Sequence, residues 1–188
     1  MYGPSPAAPV GEGPAPGSGL KRIAAEADAP FGSIYHVFPS GKQQPAEDMI
    51  RTSGTGYGRM VLALLDSVPD PVESLVRAFE AAADGLAAAD YADACPIGAV
   101  ALEVASSNEM LRGATAEVFE QWVGTATQWF GRWVAEPETA QSLAYSMIMM
   151  LEGAFMLSRA GRDPEPLRVA GRSMAKLLHT AINQADRD

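Results

Sequence analysis

The stretch that decides the fold of this chain is LKRIAAEADAPFGSIYHVFPSGKQQ, from Leu20 to Gln44. Apolar residues recur at helical spacing between Leu20 and Ala27, which predicts a short helix. Asp28-Ala29-Pro30 interrupts the pattern, because a proline disfavours helical backbone at the residue before it. A second short helix follows, from about Phe31 to Phe38. Two short helices joined by a tight turn are the layout of a helix-turn-helix, whose second helix lies in the major groove of DNA.

The same residues resemble the DNA-binding signature of TetR-family repressors. In that family a helix ending in I-A-x-x-A is followed by a turn, a short recognition helix, Tyr-(Tyr/His)-x-Phe and a lysine that opens a long helix. The positions that carry the resemblance are Ile23, Ala24, Ala27, Gly32, Ser33, Tyr35, His36, Phe38 and Lys42. The resemblance implies DNA contacts from Lys21, Gly32, Ser33, Ile34, Tyr35, His36 and Lys42.

Side-chain chemistry agrees with part of that set. A phenol, an imidazole and an ammonium group can all donate hydrogen bonds to phosphate oxygens, so Tyr35, His36 and Lys42 suit backbone contacts that fix register without reading bases. The alternatives are packing between helices for Tyr35 and Phe38, and a surface or capping role for His36.

The charge of the chain limits how strongly it holds nucleic acid. The net charge is −9, but the stretch from Leu20 to Gln44 has three basic residues against two acidic ones. This thin basic footprint predicts modest non-specific DNA affinity that depends strongly on salt. One cysteine cannot form an internal disulfide, and the chain has neither a signal segment nor a long apolar run. We therefore expect a cytoplasmic protein that does not enter the membrane.

The first 19 residues differ from the family pattern. They contain five Pro and five Gly and almost no large apolar side chains, which predicts a disordered tail. TetR-like domains place an amphipathic helix here, so either the true start lies upstream, or this is a fragment, or the first helix is lost. The predicted division is a tail over 1–19, a helix-turn-helix region over 20–53 and a ligand-binding and dimerisation domain over 54–188.

The rest of the chain predicts an all-α fold, since no strand pattern occurs in it. Three glycines, Gly54, Gly56 and Gly58, predict a bend or break in the first long helix. The expected helices run over Gln43–Asp66, Pro71–Ala89, Pro96–Ser106, from Ser107-Asn108 to about Val134, Glu138–Ala160 and Glu165–Ala185.

From Ala92 onward the chain resembles the ligand-binding domain of the lincomycin-resistance-repressor (LmrA-like) branch. The features that carry this resemblance are Cys95-Pro96-Ile97-Gly98, Ala101–Glu103, Phe119–Trp122 and Glu152–Phe155. It implies a small-molecule sensor, and we expect a large apolar or aromatic ligand. The predicted lining residues are Phe79, Cys95, Phe119, Trp122, Met147 and Phe155. For each of them, ordinary core packing is the alternative.

Two polar groups in this part have open interpretations. Cys95 suits a redox or electrophile sensor if the helix N-terminus favours its thiolate, or simply a small buried residue. Glu103 and Glu152 sit in apolar surroundings, where they suit a cationic ligand group, a structural pairing with arginine, or exposure at the edge of a helix.

The last two predicted helices have wide apolar faces. One interpretation is that they close the chain's own core. The other is a homodimer seam with Leu151, Phe155, Met174 and Leu178 at the interface, which would place two recognition helices about 34 Å apart. On that hypothesis Leu178→Glu gives monomers.

No catalytic arrangement is visible: the two histidines are far apart, and there is no phosphate-binding loop, no G-x-S-x-G and no metal or cofactor motif. We therefore expect a regulator rather than an enzyme. The first hypothesis is a ligand-responsive, homodimeric repressor that binds double-stranded operator DNA and a small-molecule effector. The alternative is a sensing and dimerisation module with impaired DNA binding that pairs with a full-length relative.

Overall fold

The structure, a computed structural model, describes residues 43–92, 95–104 and 108–185. These residues form six α-helices and no strand, which confirms the predicted all-helical class. The helices are α1 (Gln43–Leu65), α2 (Pro71–Ala88), α3 (Pro96–Val104), α4 (Glu109–Phe130), α5 (Pro137–Gly161) and α6 (Glu165–Ala185). The predicted tail and the two short helices of the helix-turn-helix lie outside the described residues.

The helix starts are set by local chemistry. The Asp70 carboxylate accepts hydrogen bonds from the backbone N–H groups of Val72 and Glu73 at 2.8 and 2.9 Å, and so satisfies donors that have no partner inside α2. Asn108 does the same for α4 through Leu111, at 3.1 Å. Proline is the first residue of α2, α3 and α5, a position that needs no backbone donor.

Helix α6 packs against α2 and α5. Its buried face carries Leu167, Met174 and Leu178, none of which is exposed to solvent. Gly171 permits the close approach, since a Cβ added there would lie 2.6 Å from the Cβ of Phe79 on α2. The widest apolar face of α6 is therefore covered by the same chain.

Helix α1 is continuous from Gln43 to Leu65, so it does not break at its glycines. Two of these glycines instead let α1 pack closely on α4. A Cβ at Gly54 would overlap the Val118 side chain, 2.7 Å from Cγ2, and one at Gly58 would lie 2.9 Å from Cδ1 of Trp122. The predicted boundary between the DNA-binding region and the ligand-binding domain, after residue 53, falls inside α1. The helix that enters the core therefore begins in the predicted DNA-binding region.

Polar contacts strengthen the packing of α1 on α4. The indole Nε1 of Trp122 donates to the carbonyl oxygen of Gly54 at 2.8 Å. One turn earlier, Nε of Arg51 lies 2.8 Å from Oε2 of Glu117, and this guanidinium lowers the pKa of the Glu117 carboxyl. These contacts attach the N-terminal half of α1 to the middle of α4.

Over the described ranges, none of the helices is both long enough and apolar enough to cross a bilayer.

Candidate ligand-binding cavity

An apolar cavity of about 770 Å³ lies between α1 and α2 and is bounded on its inner side by α5. We call it the α1–α2 cavity. Small residues on α2, including Ala81, Ala82 and Gly85, leave the space open. The α1 side runs from Thr52 near its middle to Leu65 at its end. The volume is in the range of pockets that hold drug-sized organic molecules.

The chemistry of the α1–α2 cavity suits an apolar or aromatic molecule. Its walls are mainly aliphatic and aromatic, and oxygen-bearing side chains come from Thr52, Ser53 and Tyr57, all on α1. A mostly apolar pocket with a few polar groups that orient the ligand is the usual form of a small-molecule site. Within the described residues no group of His, Cys, Asp or Glu could hold a metal ion.

Three of the six predicted ligand-binding residues, Phe79, Met147 and Phe155, line the α1–α2 cavity. Trp122 does not line it. Its indole N–H is bonded to Gly54, and its ring packs 5.3 Å from Tyr57 and 5.4 Å from Phe119, centroid to centroid. Trp122 borders a narrow space of about 40 Å³ between α1, α4 and α5. Its position makes it a support for the wall that carries Tyr57.

Cys95 and Phe119, together with Phe155, line a second cavity of about 760 Å³ on the other side of the start of α3. We call it the α3–α5 cavity, since its remaining walls come mainly from those two helices. Phe155 borders both cavities, while Pro96 faces the first and Cys95 the second. The predicted set of ligand residues is therefore divided between two neighbouring cavities.

The Cys95 thiol is 1% exposed, and its sulfur accepts a hydrogen bond from the backbone N–H of Gly98 at 3.3 Å. Burial raises the pKa of this thiol well above its ordinary value, and the Glu152 carboxylate raises it further. The helix N-terminus alone would favour the thiolate, but desolvation outweighs it here. A buried, protonated thiol fits the packing interpretation of Cys95 rather than a sensor.

The predicted dimer residues point into their own chain. Met174 and Leu178 are fully buried against the core, Phe155 is 6% exposed, and Leu151 is half-buried on the wall of the α1–α2 cavity. Large apolar side chains of α5 and α6 are exposed at neighbouring positions instead. They are Tyr145, Met149, Met156, Leu157, Val169 and Leu177. The helical spacing of apolar residues identified the buried face of α5 and of α6. The exposed apolar residues beside that face were less evident from the sequence pattern.

The seven predicted DNA-contacting residues all lie outside the described residues, so their role stays a prediction. They are Lys21, Gly32, Ser33, Ile34, Tyr35, His36 and Lys42.

Comparison with known proteins agrees with this architecture. The family profile described as "Transcriptional regulator LmrA/YxaF-like, C-terminal domain" matches residues 71–173. The uncharacterised HTH-type transcriptional regulator YxaF of Bacillus subtilis is 30% identical over 165 residues, which cover 86% of this chain and 84% of that protein. HTH-type transcriptional regulator LmrA of the same organism is 24% identical over 151 residues, covering 80% of each chain.

Solved structures show the same fold. A TetR regulatory protein from Rhodobacter sphaeroides superposes with a TM-score of 0.66 at 24% identity, over 84% of this chain and 86% of that one. A TetR transcriptional regulator from Chloroflexus aurantiacus gives a TM-score of 0.61 at 24% identity, over 85% and 83%. The profile match from α2 into the first half of α6, and the relatives aligned over most of their length, place this chain in the LmrA/YxaF-like group of TetR-type transcriptional regulators.

Proposed function

We propose that this regulator is a cytoplasmic, homodimeric repressor that leaves its operator when a small apolar or aromatic effector fills the α1–α2 cavity. The observation that carries the proposal is the position of α1. This helix begins inside the predicted helix-turn-helix region, after its two short helices, and it supplies one wall of the cavity, including the polar groups of Thr52, Ser53 and Tyr57. A ligand in the cavity therefore contacts the helix that carries the DNA-binding region.

The two sides of α1 explain how such contact changes DNA affinity. One side lines the cavity, and the other is attached to α4 through Arg51, Gly54 and Gly58. A ligand whose shape fits only one placement of α1 favours that placement at the expense of others. Operator release then requires that the ligand bind the DNA-competent and released states with different affinity.

The homodimer is supported by the exposed apolar side chains of α5 and α6. Tyr145 and Met149 lie one turn apart on α5, and Val169 and Leu177 lie two turns apart on α6. Each of the four is at least 42% exposed in the single chain. A two-fold pairing of this surface would bury them and set two DNA-binding regions against successive major grooves, about 34 Å apart.

The test combines DNA binding with a cavity probe. Fluorescence anisotropy with DNA from the gene's own upstream intergenic region, at two salt concentrations, measures operator affinity. N-phenyl-1-naphthylamine, a neutral aromatic dye that brightens in apolar cavities, serves as the probe. We expect the dye to bind and to weaken operator affinity by about tenfold or more, which is about 1.4 kcal/mol of coupling.

Two glycine substitutions supply matched controls. Gly85 lines the α1–α2 cavity and Gly124 lies on α4 away from it, and a Cβ at either position meets no atom within 4 Å. Gly85→Leu should abolish dye binding and the dye's effect while it retains operator binding, and Gly124→Leu should behave as wild type. Dye bound in the cavity with unchanged operator affinity would contradict the proposed release. Weak binding that is equal for any DNA would favour the alternative of a sensing module with impaired DNA binding.

A further inference from the structure

The α3–α5 cavity is lined by a half-buried glutamate, Glu152, that the proposed function does not use. Glu152 projects from the middle of α5 toward α3, and its Oε1 is buried with no hydrogen-bond partner in the described part of the chain. Unpartnered buried polar atoms are few in folded proteins, and each calls for a physical explanation. The residue that carries this atom also lines a cavity large enough for an organic molecule.

The backbone of α3 is arranged to leave room for this carboxyl group. Gly98 faces it, and a Cβ at that position would collide with Oε2 of Glu152 and lie 3.1 Å from its Cδ. The Cys95 thiol lies beside the carboxyl group, where it lowers the pKa of Glu152, and the carboxylate in turn raises the pKa of the thiol. A thiol is a weak donor and supplies no positive charge, so Glu152 is held in place without being neutralised.

The nearby cations are already engaged elsewhere. Arg159 and Arg162 also line the α3–α5 cavity. Nε of Arg159 donates to the backbone oxygen of Tyr91 at 3.2 Å, while Arg162 pairs with the Asp90 carboxylate and lies over the Tyr91 ring. Over the described ranges no ion pair involves Glu152, and burial raises the pKa of its carboxyl above the ordinary value. A bound cation would offset that desolvation.

We propose that the α3–α5 cavity is a second ligand site that takes an organic amine, with its protonated nitrogen against Glu152 and its apolar body against Phe119, Phe155 and Met156. The three side chains supply apolar and aromatic surface around a single carboxylate, a combination that selects a cationic head on an apolar body. The site is separate from the α1–α2 cavity, and its test uses no DNA, so its failure leaves the proposed operator release untouched.

The test compares probes that differ in one group. 4-Phenylbutylamine is protonated at neutral pH, and 4-phenylbutan-1-ol has the same body with a neutral donor. Titration calorimetry on the full chain should show the amine binding at least about tenfold more tightly than the alcohol, because a charge-assisted hydrogen bond is stronger than a neutral one. Glu152→Gln keeps the shape of the side chain and removes its charge, so it should cancel this difference by weakening the amine alone.

Glycine substitutions locate the site. Gly153 lines the α3–α5 cavity, Gly85 lines the other cavity, and a Cβ at either meets open space. Gly153→Leu should abolish amine binding and Gly85→Leu should retain it, with sedimentation confirming that both variants keep the oligomeric state of the wild type. The proposal is overturned if the amine shows no saturable binding, if amine and alcohol bind equally, or if either Glu152→Gln or Gly153→Leu leaves the affinity for the amine unchanged.

Discussion

Two neighbouring glycines of α1 should respond in opposite directions to the same substitution. Gly56 faces the α1–α2 cavity, where a Cβ meets no atom within 4 Å, so Gly56→Ala should stabilise the fold by about 0.5–1 kcal/mol through helix propensity. Gly54 gains the same propensity, but its new Cβ overlaps the side chain of Val118, which is 2% exposed. Because Val118 is β-branched and enclosed, it cannot rotate away at low cost.

The size of the difference follows from two losses at Gly54. Overpacking of a filled core costs about 1–3 kcal/mol. Moving α1 away from α4 also stretches the 2.8 Å hydrogen bond from Trp122 to the Gly54 carbonyl. A hydrogen bond of this kind contributes about 0.5–1.5 kcal/mol net to the free energy of unfolding. After the propensity gain, Gly54→Ala should destabilise by about 1–3 kcal/mol, so the two variants should differ by about 2–4 kcal/mol.

Urea denaturation followed by circular dichroism measures both free energies of unfolding, and a double-mutant cycle supplies the control. Val118→Ala alone leaves a cavity, but in combination with Gly54→Ala it removes the two methyl groups that the new Cβ meets. The double variant should be more stable than the sum of the single effects by about 1 kcal/mol or more. If Gly54→Ala stabilises as much as Gly56→Ala, then α1 does not pack on α4 at this point. The proposed attachment to α4 of the helix that continues from the DNA-binding region would then be wrong.

Three further predictions concern the exposed surface, a helix cap and the carboxyl group of Glu152. Leu177→Glu, at a position 42% exposed, should give a folded monomer by sedimentation, whereas Leu178→Glu, at a position with no exposure, should destabilise by more than about 4 kcal/mol and give little folded protein. Asp70→Ala should lower the free energy of unfolding by about 1 kcal/mol, because it removes the cap of α2. The pKa of Glu152 is raised by burial above its value in the unfolded chain, so at pH values between the two the native state is protonated and the unfolded chain is not. The free energy of unfolding should therefore fall as pH rises from the unfolded pKa through the folded pKa, and Glu152→Gln should remove this part of the fall.

Most boundaries of the helices could be predicted from sequence because they depend on local chemistry, although α4 ends at Phe130 and not at about Val134. The predicted helices Gln43–Asp66 and Pro71–Ala89 end within one residue of α1 and α2. Proline at a first position and an Asp or Asn cap act on backbone groups two or three residues away, so the pattern contains both partners. The resemblance to TetR-type regulators could also be predicted, because it rested on short contiguous motifs, and the comparisons confirmed it.

The partners of the helix faces could not be predicted in this way. The spacing of Leu167, Met174 and Leu178 shows that one face of α6 avoids water, and it fits burial against α2 as well as burial against a second chain. The glycines of α1 show the same limit. A glycine inside a helix can mark a break or a close approach, and the close approach is evident only from the positions of Val118 and Trp122.

The positions of the cavities could not be predicted from the sequence for a related reason. Ala81, Ala82 and Gly85 read as part of an ordinary apolar face, because periodicity records whether a side chain avoids water and not how much volume it fills. The α1–α2 cavity exists where these small residues face α1 across a space that α5 only partly fills. Glu152 follows the same logic. Its place in an apolar helix was visible, but whether an arginine, solvent or a cavity faces its carboxylate depends on α3, and there the absence of a Cβ at Gly98 leaves the carboxyl group room beside a thiol.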